Sequence, residues 1–189
     1  SRGLGDVYKR QTKDYKEIIN DPEISAVLIC SSTDTHSPIS VEAIKAGKVA
    51  AVLLAGGQGT RLGLDKPKGT LNVGINKDLF LFEQLINNLL DVVNQSGAYV
   101  PLYIMTSDKN NNDTVAFFEE HNFFGYDKDY VKFFIQSMAP SVDYNGKLYM
   151  ESTDSLAMSP NGNGGWFTSL IDAGPVSYTH LRAHETAAN

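Results

Sequence analysis

A continuous apolar run at 49–54 (VAAVLL) leads directly into Ala55-Gly56-Gly57-Gln58-Gly59-Thr60-Arg61-Leu62-Gly63, and Pro67-Lys68-Gly69 follows a few residues later. An apolar run of this length reads as a strand buried on both faces, as in a parallel sheet. Gly56, Gly57 and Gly59 at its end would let the backbone turn sharply. They would also bring its N–H groups against an anion with no Cβ in the way. Arg61 offers a planar fork for phosphate oxygens, and Lys68 a point charge on a loop whose shape Pro67 restricts. The expectation is phosphate binding outside the carboxyl end of a strand. The plain alternative is a tight turn with Arg61 and Lys68 facing solvent.

Two commoner phosphate motifs are excluded. A dinucleotide fingerprint needs glycine three places after Gly59, where Leu62 stands. A Walker loop needs Gly-Lys-Ser/Thr, whereas the order here is Lys68-Gly69-Thr70.

The remaining pattern alternates strands and helices, which gives an α/β class with a mostly parallel sheet. Helix is expected over 79–93, with Phe82, Leu85, Ile86, Leu89 and Val93 on one face. Strands are expected over 102–105 and 131–135, with a short helix over 113–121 between them. Asn110 to Asp113 reads as a solvated loop and helix cap, and His121 as a surface or capping residue. The phenylalanines at 117, 118, 123, 124, 133 and 134 read as core. Asn145-Gly146 is expected to turn a hairpin through positive φ at both residues. A second glycine loop covers 159–165, with a helix starting at Trp166.

Upstream, 12–48 reads as helix, strand (26–30, AVLIC) and helix. Residues 31–36 form a polar loop, Ser37 is the cap, Pro38 takes the first helical position and Gly47 closes the helix.

The formal net charge is −6, which disfavours nucleic acid as a partner because sequence-independent binding needs a basic footprint. The single cysteine, Cys30, cannot form an intrachain disulfide, and a cytoplasmic protein is expected. No apolar run approaches the roughly 20 residues of a membrane helix, so no membrane partner is expected.

The stretch VLLAGGQGTRLG followed by PKG resembles the UDP-sugar pyrophosphorylase family. These are uridylyltransferases that include UDP-N-acetylglucosamine pyrophosphorylases and UTP–hexose-1-phosphate uridylyltransferases. The likeness runs over about 49–174. It includes YIMTS (103–107), FFEEHNFFG (117–125), FFIQ (133–136) with Pro140, and MSPNGNGG (158–165). The resemblance implies a Rossmann-like nucleotide-diphospho-sugar transferase fold, truncated at its C-terminal side. It implies that Leu54, Ala55, Gly56, Gly57, Gly59 and Thr60 line the uridine and phosphate site. Lys68 would contact the triphosphate, Gln136 the uracil edge, Gly162 the nucleotide and Asn163 the sugar. UTP and a sugar 1-phosphate would be the substrates. The implied reaction is attack of a sugar-1-phosphate oxygen on the α-phosphorus of UTP, with Arg61, Lys68 and Mg²⁺ neutralising charge. The family's metal-binding aspartate is expected downstream of this stretch; Asp172 is not in its motif. The parent enzyme would be active and this fragment not.

Residues 14–48 resemble a different family, the NAD(P)-binding domain of inositol dehydrogenase-like oxidoreductases, in which a loop like Thr33-Asp34-Thr35-His36 approaches the cofactor. A stray oxidoreductase fragment at 12–48, joined to the transferase near Lys48, is therefore expected. The alternatives are a natural helical leader, an oxidoreductase fragment with incidental glycine loops, and a composite without function. The two ends also encode each other. A back-translation of 175–186 has a reverse complement that reads as Ser1 to Gln11 in another frame. That string resembles a translated sequencing-library adapter, so 1–11 and 175–189 are set outside the fold, His180 and His184 with them.

Overall fold

The computed structural model describes residues 12–24, 27, 33–59, 63, 66–161 and 163–174. Two helices come first, α1 (Tyr15–Ile19) and α2 (Thr33–Lys45). The core then alternates β1 (Ala51–Leu54), α3 (Leu81–Ser96), β2 (Leu102–Thr106), α4 (Asn111–Glu120) and β3 (Val131–Ile135). The expected α/β class with a parallel sheet is what forms. β1, β2 and β3 lie side by side in sequence order, all parallel, with Ala51 opposite Leu102 and Leu102 opposite Val131.

The alternation of side chains along the strands builds two apolar layers. Leu102, Ile104 and Val131 face one way, onto Phe82, Ile86 and Val93 of α3 and Phe118 of α4. Tyr103, Met105 and Phe134 face the other way, onto Leu170 of α5 (Trp166–Asp172). β2 is the central strand, buried at every residue. Between β3 and α5 the chain forms two small antiparallel pairs. β4 (Met138–Pro140) pairs with β7 (Met158–Pro160), and β5 (Met150–Ser152) with β6 (Ser155–Leu156).

Several expectations change. The apolar run at 49–54 becomes a half-buried strand, because β1 has a hydrogen-bonded neighbour on one side only among the described residues. Helix α3 runs two to three residues later than expected, and Leu85 is 46% exposed because it borders a cleft rather than the sheet. The polar loop expected at 31–36 is helical from Thr33 onward, so Pro38 sits inside α2 rather than at its first position. Proline there removes one backbone donor, and the helix continues past it. Its end is as expected. Gly47 takes φ 68°, its N–H donates to Ile44 O, and the Lys48 N–H donates to Ala43 O, a Schellman closure. The strand expected at 26–30 lies outside the described residues except for Val27, whose N–H donates to Lys48 O. At 143–147 only Gly146 has positive φ. Asp143 organises that turn instead, its carboxylate accepting the N–H groups of Asn145 and Lys147.

Five of the six phenylalanines form the expected core around Phe118, with ring centroids 5.5 Å from both Phe124 and Phe133, while Phe134 packs in the layer on the other face of the sheet. His121 packs on the same cluster, stacked 5.1 Å from Phe124 with its Nδ1 2.8 Å from Phe117 O, so it caps α4 as expected while half-buried. At the amino edge of the sheet the buried Tyr126 hydroxyl donates to Val100 O at 2.7 Å and accepts from Val100 N at 3.2 Å. Burial pushes the phenol from 10.0 up to about 12, against a smaller downward pull from the Val100 backbone hydrogen bond. A raised folded-state pKa stabilises the fold fully below pH 10. That contribution is lost as pH rises through about 12. Tyr126→Phe is therefore expected to lower stability near neutral pH by about 1 kcal/mol. It should also flatten the loss of stability between pH 10 and 12, as read by urea unfolding at each pH. An unfolding profile identical to the wild type at both ends of that range would refute the role.

Candidate functional site

Parallel strands end at the same edge, so the loops after β1, β2 and β3 converge there. They are Ala55 to Gly59, Ser107 to Asn110, and Gln136 with Ser137. The first is held by Ala55 N–H donating to Met105 O, the third by Gln136 N–H donating to Thr106 O.

Gly56 and Gln136 meet directly. Gly56 is buried, and a Cβ built on it would lie 2.1 Å from Gln136 Nε2. Neither Gly56 nor Gly57 has positive φ, so the sharp-turn argument from sequence is not the reason for these two glycines. Gly56 is needed because the Gln136 amide occupies the space a side chain would take. Gly57 is exposed, with open space where its Cβ would be. Gln136 is 6% exposed at the end of β3, which places its amide against the glycine loop rather than in solvent.

Lys68 returns to the same loop by a backbone route. Gln58 and Pro67 form an antiparallel bridge, and Gly59 N–H donates to Lys66 O at 3.1 Å. The chain then makes a single 3-10 turn, Lys68–Thr70, whose Thr70 hydroxyl donates to Pro67 O. The result is a cleft of about 320 Å³ lined by Leu53, Leu54, Ala55, Gly57, Lys68 and the first turns of α3. Leu54 is 42% exposed at this cleft. Glycine loop, lysine and glutamine are thus brought together, with Gly57 on the lysine side and Gly56 on the glutamine side.

The second glycine loop lies beside Gln136. Asn161 N–H donates to Ser137 O, Ser137 N–H donates to Ser169 Oγ, and Gly165 approaches the Ser137 hydroxyl. Asn163 opens a 3-10 turn, Asn163–Gly165, in that segment. Thr60, Arg61 and Gly162 lie outside the described residues. For the expected Mg²⁺, no carboxylate lines the cleft, and no group of three or more His, Cys, Asp or Glu residues gathers anywhere among the described residues. They do not fit a metal site, and no chemistry is derived through one. No helix among them is long and apolar enough to cross a membrane.

Sequence reasoning missed Asn110. It is fully buried, not solvated. Its Nδ2 donates to Ala55 O at 2.9 Å and Gly57 O at 3.4 Å, while its Oδ1 accepts from Ser107 N at 2.8 Å and Ser107 Oγ at 3.0 Å. Its place in the loop after a parallel strand was the one available signal; a run of three asparagines reads as solvated by composition.

Comparison with known proteins agrees with this fold. The family profile described as UTP–glucose-1-phosphate uridylyltransferase matches residues 6–180. A probable UDP-N-acetylglucosamine pyrophosphorylase of Schizosaccharomyces pombe is 35% identical, over 94% of this chain and 40% of its own length. The UDP-N-acetylglucosamine pyrophosphorylase of Saccharomyces cerevisiae is 42% identical over 70% of this chain and 28% of its own. Among solved structures, a putative UDP-N-acetylglucosamine pyrophosphorylase from Entamoeba histolytica superposes with a TM-score of 0.66 at 33% identity, covering 75% of this chain and 37% of that one. The Trypanosoma brucei enzyme in complex with inhibitor gives 0.61 at 36% identity, covering 74% and 31%. The chain spans 40% and 28% of the two curated relatives named above. With a parallel α/β sheet, a glycine loop at its carboxyl edge and a profile match across 6–180, the chain belongs to the UTP–glucose-1-phosphate uridylyltransferase family.

Proposed function

We propose that the intact protein transfers UMP from UTP to a sugar 1-phosphate, giving a UDP-sugar and pyrophosphate, and that the Gly56–Gly57 loop is its nucleotide cradle. The observation that carries this reading is the position of one loop between two chemically different groups. Gln136 stands against Gly56, and Lys68 shares a cleft with Gly57. A carboxamide offers one donor face and one acceptor face, which matches the alternating edge of uracil. An ammonium beside backbone N–H groups suits a polyanionic tail. The spacing of these two features along one loop suits a nucleotide lying across it, base toward Gln136 and phosphates toward Lys68.

The chemistry follows from that placement. An oxygen of the sugar 1-phosphate attacks the α-phosphorus. The bond from that phosphorus to the bridging oxygen breaks, and its electron pair leaves with pyrophosphate. No side-chain nucleophile takes part, so the chain's contribution is alignment and neutralisation of charge. Lys68 is assigned to the phosphates, and Arg61 is proposed to join it. Leu54, Ala55, Gly59, Thr60 and Gly162 are proposed to complete the nucleotide contacts, and Asn163 to meet the sugar. A cytoplasmic location is part of this proposal. So is the separate parentage of residues 12–48; one uninterrupted genomic reading frame across Lys48 and Val49 would refute it.

Calorimetric titration of UTP into the full chain tests the cradle. Lys68→Ala is expected to weaken binding about tenfold or more, equivalent to about 1.4 kcal/mol. Gln136→Met keeps the length but not the hydrogen bonds, and is expected to erase the preference for UTP over CTP. Wild-type affinity and base preference in these two variants would defeat the assignment. Gly56→Ala places its new methyl against the end of a flexible side chain, so Gln136 can swing aside. Its melting temperature is expected to move little while uridine selectivity falls; a variant that keeps full selectivity would show that the contact does not matter.

A further inference from the structure

The Asn110 amide uses all of its hydrogen-bonding capacity. Its two N–H groups point to Ala55 O and Gly57 O, and its oxygen accepts from the Ser107 N–H and hydroxyl. This pattern fixes the amide's orientation, since a flipped carboxamide would set oxygen against two carbonyl oxygens. The backbone around it is equally held. Asn110 N–H donates to Ser107 O, and Asn110 O accepts from Thr114 N–H in the first turn of α4. A buried, saturated side chain on the loop after β2 thus grips the main chain of the loop after β1.

We propose that Asn110 is the positioning residue of the glycine loop, holding its amides turned toward the nucleotide. The argument is peptide geometry. In a planar trans peptide the carbonyl of one residue and the N–H of the next point in opposite directions. Drawing the carbonyls of Ala55 and Gly57 toward Asn110 directs the N–H groups of Gly56 and Gln58 away from it. Glycine residues have no side chain to anchor them, so their peptide planes would otherwise rotate at little cost. Asn110 supplies the restraint that Gly56 and Gly57 lack. It reaches no substrate itself and acts only through the backbone it holds. This inference rests on the nucleotide-site reading above.

Two measurements on the full, ¹⁵N-labelled chain test it. Asn110→Asp keeps the shape and replaces both donated hydrogen bonds with repulsion; Asn110→Ser is the milder variant should the charged one fail to fold. Tyr126→Phe is the control, because it removes a buried hydrogen bond at the opposite edge of the sheet. In the Asn110 variants the amide order parameters of Gly56 to Gln58 are expected to fall below about 0.6, the flexible range. UTP affinity is expected to fall about tenfold or more, with both quantities unchanged in Tyr126→Phe. Rigid loop amides in either folded Asn110 variant would overturn the proposal, as would an equal loss of affinity in the control. Failure of the wild-type chain to bind UTP would sink the nucleotide reading instead. The order parameters would still decide whether Asn110 holds the loop.

Discussion

The arrangement depends on β2 being paired on both edges and covered on both faces. Every backbone group of a strand buried in this way must be satisfied by the sheet, which fixes the register of β1 and β3 against it. Because the pairing is parallel, the three chain exits fall on one edge. The glycine loop, the Ser107 to Asn110 turn and Gln136 are neighbours for that reason, although up to 81 positions separate them in sequence. A register slip of one residue would turn Ile104 away from Phe118 and carry Gln136 off Gly56 together. Core packing and site geometry are therefore one constraint.

The role of glycine in the loop differs from the usual account. Left-handed φ is found elsewhere in this chain, at Gly47, Gly97 and Gly146, where helices and a hairpin need it. At Gly56 the requirement is room. A polar side chain from another strand fills the place of its Cβ, so the loop and the end of β3 interlock. That interlock couples the position of the Gln136 amide to the path of the loop backbone. In the proposed nucleotide site, the fit of an anion against the loop and of a base at Gln136 would consequently depend on each other.

Much of this was legible in the sequence, for identifiable reasons. β3 and the start of β2 fall where the hydrophobic pattern puts them, β2 buried throughout and β3 with Lys132 and Ile135 exposed. The phenylalanine core is readable because aromatic rings have few other places to go. Lys68 was legible as a partner of the glycine loop and Gln136 through the family resemblance, but the direct contact of Gln136 with Gly56 was not. The bridge between Gln58 and Pro67, which returns the lysine, is made of backbone and leaves no compositional trace. Asn110 was illegible for a deeper reason. Its burial depends on what packs above it, and an asparagine beside two others carries the same letter whether solvated or saturated. The helix over Thr33–Lys45 shows the opposite failure. Proline commonly marks a helix boundary, but Pro38 lies inside a helix that continues on both sides of it.

The stabilising clamp and the candidate site also lie at opposite ends of the strands. Tyr126 clamps Val100 before β2 begins, far from the loops at the carboxyl edge. Asn122, Phe123 and Phe124 all adopt left-handed φ near 50°, a conformation that costs a non-glycine residue roughly 1–2 kcal/mol. Such strain persists only where the surroundings enforce it. Here the enforcement is aromatic, because the twisted segment delivers Phe123 and Phe124 onto Phe118 while leading the chain into Tyr126. The segment before β3 is thus pinned by packing, which leaves the segment after β3 free to be set by contacts with Gly56 and Ser169. A sheet anchored at its amino edge can present an open carboxyl edge, and the proposed nucleotide site lies on that edge.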